Sequence, residues 1–228
     1  MEPYDSLMTS GTFIVIEGGD GAGKSRLQAA LGERLRSEGR EVVLTREPGG
    51  TELGERIREL VLAHRSVGDA LTELLLFEAA RAHLVATVVR PALERGAVVI
   101  CDRFAASSVA YQGFGRGLGR ALVEQANALA TGGLAPDLTL LLDLPVEIGL
   151  QRRAGDGGVN HFDSEAAAFH ERVRSGFLEL ARDGGESWCL IDAAQEFEAV
   201  LAAAVGATVR LLIGKDAPAG EAANWFGP

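Results

Sequence analysis

An apolar run, Thr12–Glu17, leads straight into Gly18-Gly19-Asp20-Gly21-Ala22-Gly23-Lys24-Ser25, and a helical pattern follows without a break. This order limits the fold more than any other feature of the chain. The spacing is G-x-x-x-x-G-K-[ST], and it makes a phosphate-binding loop when a strand precedes it and a helix follows. Glycines let the backbone turn so that successive N–H groups point inward at anionic oxygens. The helix N-terminus adds its partial positive charge. Lys24 is then placed to bridge the β- and γ-phosphates of a nucleoside triphosphate, and the Ser25 hydroxyl to ligate Mg²⁺. The ATP-binding expectation therefore covers Gly18, Gly19, Asp20, Gly21, Ala22, Gly23, Lys24 and Ser25. The loop specifies a nucleotide-binding protein but not which one.

The remaining chain alternates two periodicities. Val42–Thr45, Ala97–Cys101, Leu138–Leu144 and Ser187–Ile191 are short apolar runs that read as strands, like Thr12–Glu17. Helical patterns fill the spaces: Gly23–Glu38 with Leu27, Leu31 and Leu35 four apart, Glu52–His64, Asp69–Arg90 with Asp69 as N-cap, and Gly119–Ala130. Pro145–Arg153, Ser164–Arg182 and Glu196–Leu212 complete the set. Strands apolar throughout, with helices between them, imply an α/β fold: a doubly wound, parallel five-stranded sheet with helices on both faces. The reading is one domain over 12–213, with tails at 1–11 and 214–228. The Gly-rich Ala154–Asn160 sits in a short lid at about 152–163.

Of 228 residues, 47% are apolar, enough for a substantial core, and the net charge is −10, which argues against a nucleic-acid partner. No apolar run reaches the ~18–20 residues of a membrane span, and Met1–Ser10 does not have the pattern of a signal peptide. Cys101 and Cys189 lie in strand-like runs without metal spacing and read as buried thiols in a reducing cytosol. A cytoplasmic location is expected.

Three further segments narrow the function. The second strand runs into Arg46-Glu47-Pro48-Gly49-Gly50-Thr51, the long helix carries Phe77 and Arg81, and the third strand ends in Asp102-Arg103-Phe104, followed by Ser107 and Ala110-Tyr111-Gln112. Strand ends form the ligand face of such a sheet, so all three converge on the phosphate loop. Asp102, at a strand end, suits a carboxylate that supports Mg²⁺ through water and orients Arg103. Together the segments closely resemble the thymidylate kinase family, over about Thr12–Leu212. The resemblance implies phosphorylation of thymidine 5′-monophosphate with ATP and Mg²⁺. It implies that Arg46 and Arg103 hold the acceptor phosphate, a task suited to guanidinium forks. It further implies that Phe77 stacks on thymine, Arg81 bonds a base carbonyl, and Ser107 and Gln112 lie near the base. Tyr111 would sit under the sugar, and Asp20 would meet the 3′-hydroxyl. Arg152 would pack on adenine, bordered by Asp192–Gln195.

The chain departs from the family pattern in the lid. With no arginine in the phosphate loop, several are expected there, yet only Arg152 and Arg153 stand at its edge and Asp156 occupies a place where a basic residue is expected. The catalytic expectation is Lys24, Asp102, Arg103 and Arg153, with His161 a further candidate. Two other readings fit the same motifs: a kinase for another or modified pyrimidine nucleotide, and a low-turnover nucleotide-binding regulator. Helix 69–90 carries apolar residues around most of its circumference, and the expected partner for its surplus face is a second copy of the chain.

Overall fold

The protein is described by a computed structural model covering residues 11–62, 69–155, 165 and 167–216. Most of the expected lid, including Asp156 and His161, and most of both tails lie outside these residues. Strands β1 (Thr12–Gly18), β2 (Val42–Arg46), β3 (Val98–Asp102), β4 (Leu138–Asp143) and β5 (Trp188–Asp192) form one parallel sheet in the order β2-β3-β1-β4-β5. Strand order reverses beside β1, which places the phosphate loop at the crevice where such sheets bind ligands. Register sets the level of the site: Ile16 and Arg46 both pair with Asp102, and Gly18 pairs with Leu142.

Period-two alternation divides the apolar residues of β1 between two cores. Ile14 and Ile16 face α1 (Lys24–Ser37), where Leu27, Leu31 and Leu35 are fully buried as their spacing predicts. Phe13 and Val15 face the opposite layer with Leu84, Val89 and Val99. Helix α9 (Phe197–Asp216) closes the first core through Val200, Ala204, Ala207 and Leu212. Residues 197–215 are by length and composition apolar enough to cross a membrane, contrary to the sequence reading that no run reaches that length. In the fold, α9 packs against α1, β4 and β5.

Helix α2 (Glu52–Leu62) ends at the edge of the described residues. Helix α3 (Ala70–Leu84) starts as expected, with the Asp69 side chain accepting from Thr72 N–H at 2.8 Å. It does not stop at Arg90. A π-helical turn, Val85–Val89, leads into α4 (Arg90–Glu94), which contains Pro91. Proline lacks an N–H and clashes with an ordinary α-turn, and the wider turn accommodates it. A larger departure lies after β3. Ala105–Ser108 is helical (α5) and continues as a π-helical segment, Val109–Gly115, a stretch to which the sequence reading assigns no helix. Helices α6 (Arg120–Thr131), α7 (Val146–Gly155) and α8 (Ala167–Gly184) follow. Cys101 is buried, but Cys189 is only partly so, because β5 is an edge strand.

Candidate active site

The phosphate loop begins where β1 ends. Gly21 and Gly23 take φ values of 75° and 90°, which admit little but glycine, and Gly23 is the residue before α1. The loop also packs tightly on α7. A Cβ on Gly149 would stand 2.5 Å from the Asp20 carbonyl oxygen, and one on Gly21 would strike the Gly149 carbonyl. The Lys24 ammonium is buried and donates to the carbonyls of Gly18 (3.1 Å) and Gly19 (2.8 Å). Burial, reinforced by the Arg103 charge, pushes its pKa down to about 8. Ser25 Oγ donates to Asp102 Oδ2 at 2.6 Å. These are two hard oxygen donors, and no group of three or more His, Cys, Asp or Glu that could hold a metal exists among the described residues. The pair therefore fits a cation that takes most of its ligands from water and phosphate, the preference of Mg²⁺.

Arg103 is the hub. It follows β3 directly and has φ 70°, an unusual conformation for a residue other than glycine. Its N–H is held by Ile16 O at 2.9 Å. Nη1 reaches Gly18 O (3.0 Å) and Ser107 Oγ (3.2 Å), while Nη2 reaches Asp20 Oδ1 (2.7 Å) and the Tyr111 hydroxyl (3.1 Å). Tyr111 donates in turn to Asp20 Oδ2 at 2.8 Å. Burial alone would raise the Asp20 pKa. Arg103 foremost, with Lys24 and the Tyr111 hydroxyl, outweighs it and holds the carboxyl below its ordinary value.

Beneath this triangle the turn is anchored from the sheet. The fully buried Glu17 carboxylate accepts from Phe104 N–H (2.9 Å), Ser107 N–H (3.1 Å) and Ser107 Oγ (2.6 Å). Burial raises its pKa, opposed by Ser107 and Arg103. Glu17 thus takes the Phe104 N–H and shares the Ser107 N–H with Phe104 O (3.0 Å) at the start of α5, acting as an N-cap residue would from 87 positions away.

A cavity of about 100 Å³ opens beside Arg103 and gathers Asp20, Phe77, Arg81, Ser107, Tyr111 and Gln112. Two of the expected side chains differ from the sequence reading. Arg46 does not line this cavity; its Nη2 bonds both oxygens of Glu55, at 2.9 and 3.0 Å, and the side chain is largely exposed. The same carboxylate takes the Gly50 N–H, so the loop holds Arg46 to one side. Arg81 lines the cavity but is fully buried, and all five of its N–H donors are engaged. Nε bonds Glu47 Oε2 (2.8 Å), and Nη1 bonds Glu78 Oε1 (2.5 Å) and Asn127 Oδ1 (2.6 Å). Nη2 bonds Ser108 Oγ (3.1 Å) and Phe104 O (3.2 Å). A base carbonyl, the partner expected of Arg81, would have to displace one of these acceptors. Despite the ion pair, burial prevails at Glu47 and pushes its pKa up to about 7.

The sequence reading missed Arg58, which lines the cavity from α2 and donates to Pro48 O at 2.9 Å. Its signal was present: Arg58 and Leu62 are four apart, share a helix face, and both reach the cavity.

On the donor side, Arg152 Nη1 reaches Ala193 O at 3.1 Å, tying α7 to the loop after β5. The Arg26 guanidinium lies 3.7 Å from the centre of the Phe197 ring at the start of α9. Arg153 stands in the last turn of α7.

Comparison with known proteins agrees with this geometry. The thymidylate kinase family profile matches residues 16–204. Thymidylate kinase of Pseudomonas putida (strain GB-1) is 53% identical over 192 residues, covering 84% of this chain and 91% of the relative. The Deinococcus radiodurans thymidylate kinase is 50% identical over 201 residues, covering 87% and 98%. The crystal structure of thymidylate kinase from Ehrlichia chaffeensis superposes with a TM-score of 0.70 at 33% identity, covering 89% of this chain and 98% of that one. On these matches and on the site that β1, β3 and α3 assemble, the chain belongs to the thymidylate kinase family.

Proposed function

We propose that the protein transfers the γ-phosphoryl group of ATP to thymidine 5′-monophosphate, giving the diphosphate. One observation carries this reading: the Arg103 guanidinium bonds the phosphate loop at Gly18 O and, at the same time, the Asp20, Ser107 and Tyr111 side chains of the adjoining cavity. Donor and acceptor sites therefore share one cation. ATP lies along the phosphate loop with Arg152 and the loop after β5 at its adenine. The acceptor lies in the cavity with Phe77 against the base, Tyr111 under the sugar and Asp20 at the 3′-hydroxyl. A base carbonyl takes the Arg81 Nη2 hydrogens now held by Ser108 Oγ and Phe104 O. Arg58 joins Arg103 near the acceptor phosphate, and Arg46 joins them on leaving Glu55.

An acceptor phosphate is already anionic near neutral pH, so no general base is required, and the work is alignment and charge neutralisation. Lys24 leaves the two loop carbonyls to meet the transferring phosphates. Ser25 and Asp102 would hold Mg²⁺, which would supply further neutralisation of the phosphates when bound. Arg103 and Arg153 face the migrating group. The working unit is a cytoplasmic homodimer, each copy a single domain over about 12–213.

A coupled ADP-release assay across ribo- and deoxynucleoside monophosphates tests the reading. Thymidine monophosphate should give the highest kcat/KM, and Lys24→Ala should lower turnover more than about tenfold with the fold retained, since such contacts are worth several kcal/mol in the transition state. ADP release that ignores the added monophosphate would overturn it.

A further inference from the structure

We propose that Glu73 is a positioning residue that helps select the base by locking the side-chain amide of Gln112. The inference rests on the placement of the base in the cavity beside Phe77. Glu73, Phe77 and Arg81 follow one another at four-residue spacing on α3 and share one face. Phe77 and Arg81 reach the cavity, and Glu73 lies one turn back, against Gln112.

Glu73 is 5% exposed and Gln112 2%, so little water can reach their contact. Gln112 Nε2 donates to Glu73 Oε1 at 2.8 Å. Arg116 bonds the same carboxylate at both oxygens, Nε to Oε1 and Nη2 to Oε2, each at 3.3 Å, and is itself held by Glu165 Oε1 at 2.6 Å. A carboxylate only accepts hydrogen bonds. The Gln112 amide must therefore turn its NH₂ toward Glu73. Turned over, two acceptor oxygens would meet with no proton between them, at a buried position where that is costly. Gln112 lines the cavity, and with one Nε2 hydrogen given to Glu73 the amide cannot turn over, which fixes its carbonyl oxygen as the acceptor it offers a ligand. The site consequently offers an acceptor to the pairing edge of the base. Thymine and uracil carry an N3–H donor there. Cytosine carries a lone pair, which would face the fixed oxygen. Glu73, which does not line the cavity, thereby favours bases with an N3–H.

Two arms test this. In the wild-type protein, calorimetry compares thymidine monophosphate with its 3-deaza analogue, in which C–H replaces N3–H. The analogue should bind about ten- to a hundredfold more weakly, the effect of leaving a buried acceptor unpaired; equal affinity would overturn the proposal. This arm needs no variant to fold. In Glu73→Gln, the new amide can present either end, so Gln112 is released. The kcat/KM ratio of thymidine monophosphate over 5-methyl-deoxycytidine monophosphate should fall about tenfold, with the KM for ATP unchanged. Equal losses for both acceptors would make Glu73 merely structural. Gln112→Ala separates the levels: if it leaves thymidine monophosphate binding untouched, the base does not lie in this cavity and the lock falls with that placement. If it weakens binding while Glu73→Gln leaves the ratio unchanged, the lock alone is overturned.

Discussion

Lys24 illustrates what a phosphate loop does to one side chain before any ligand arrives. Its ammonium is buried and leans on two carbonyls, and its pKa falls to about 8 because burial and Arg103 outweigh Asp102, Asp20 and Glu17. At pH 8 roughly half the population is neutral. A triphosphate favours the charged form, so ATP binding should take up about half a proton at pH 8 and very little through this residue at pH 6.5. Calorimetry in buffers of different ionisation enthalpy measures the uptake. Lys24→Arg, which stays protonated throughout, should abolish it; uptake that persists in this variant would locate the titrating group elsewhere. Among the other cations, type and chain position were legible but destination was not. Arg103 and Arg81 both lie in motif segments, yet Arg103 bonds the phosphate loop while Arg81 spends every donor on Glu47, Glu78, Asn127, Phe104 and Ser108.

At the scale of elements, the contact between the phosphate loop and α7 is set by two glycines. Replacing an interior helical glycine by alanine ordinarily stabilises by about 1 kcal/mol. At Gly149 the added Cβ would lie 2.5 Å from the Asp20 carbonyl oxygen, a backbone atom of the phosphate loop that cannot rotate away. Gly149→Ala should therefore lower the melting temperature and raise the KM for ATP about tenfold or more, against its helix propensity. A higher melting temperature with unchanged KM would mean that the loop and α7 are not in register as described. The helix 105–115 shows why one element escaped the sequence reading. It lacks a local N-cap: Phe104 occupies that position with no side-chain cap bond, and Glu17 supplies the acceptor from β1. Helical start signals are local, and here the cap arrives only once the sheet has formed.

For the whole molecule, the surplus apolar face of α3 survives folding of the single chain. Leu74, Ala80 and Leu84 are buried, but Leu71 and Leu75 remain 47% and 55% exposed. Helices α2 and α6 pack on either side of α3 and add exposed Leu60 and Leu129. Exposed leucines on three helices that pack together are what the proposed homodimer would cover, because a twofold contact buries matching surfaces against each other. Light scattering at low micromolar concentration should give about twice the chain mass, and Leu75→Glu should return the monomer. A fully active wild-type monomer would remove the interface.

Local signals determined much of this protein. The strand–loop–helix order around Gly18–Ser25, the five apolar strands, the leucine stripe of α1 and the Asp69 cap all depend on neighbours within a few residues, and each stands where its pattern placed it. The thymidylate kinase family was legible for the same reason, since its motifs are short and contiguous. Partnership across long separations was decided only by the tertiary structure. Glu17 capping a helix 87 positions on, Arg81 enclosed by Glu47, Asn127 and Phe104, Arg46 held aside by Glu55, and Glu73 setting the Gln112 amide are choices among acceptors. Several such acceptors exist for every buried donor, and the sheet register decides which comes within hydrogen-bonding distance.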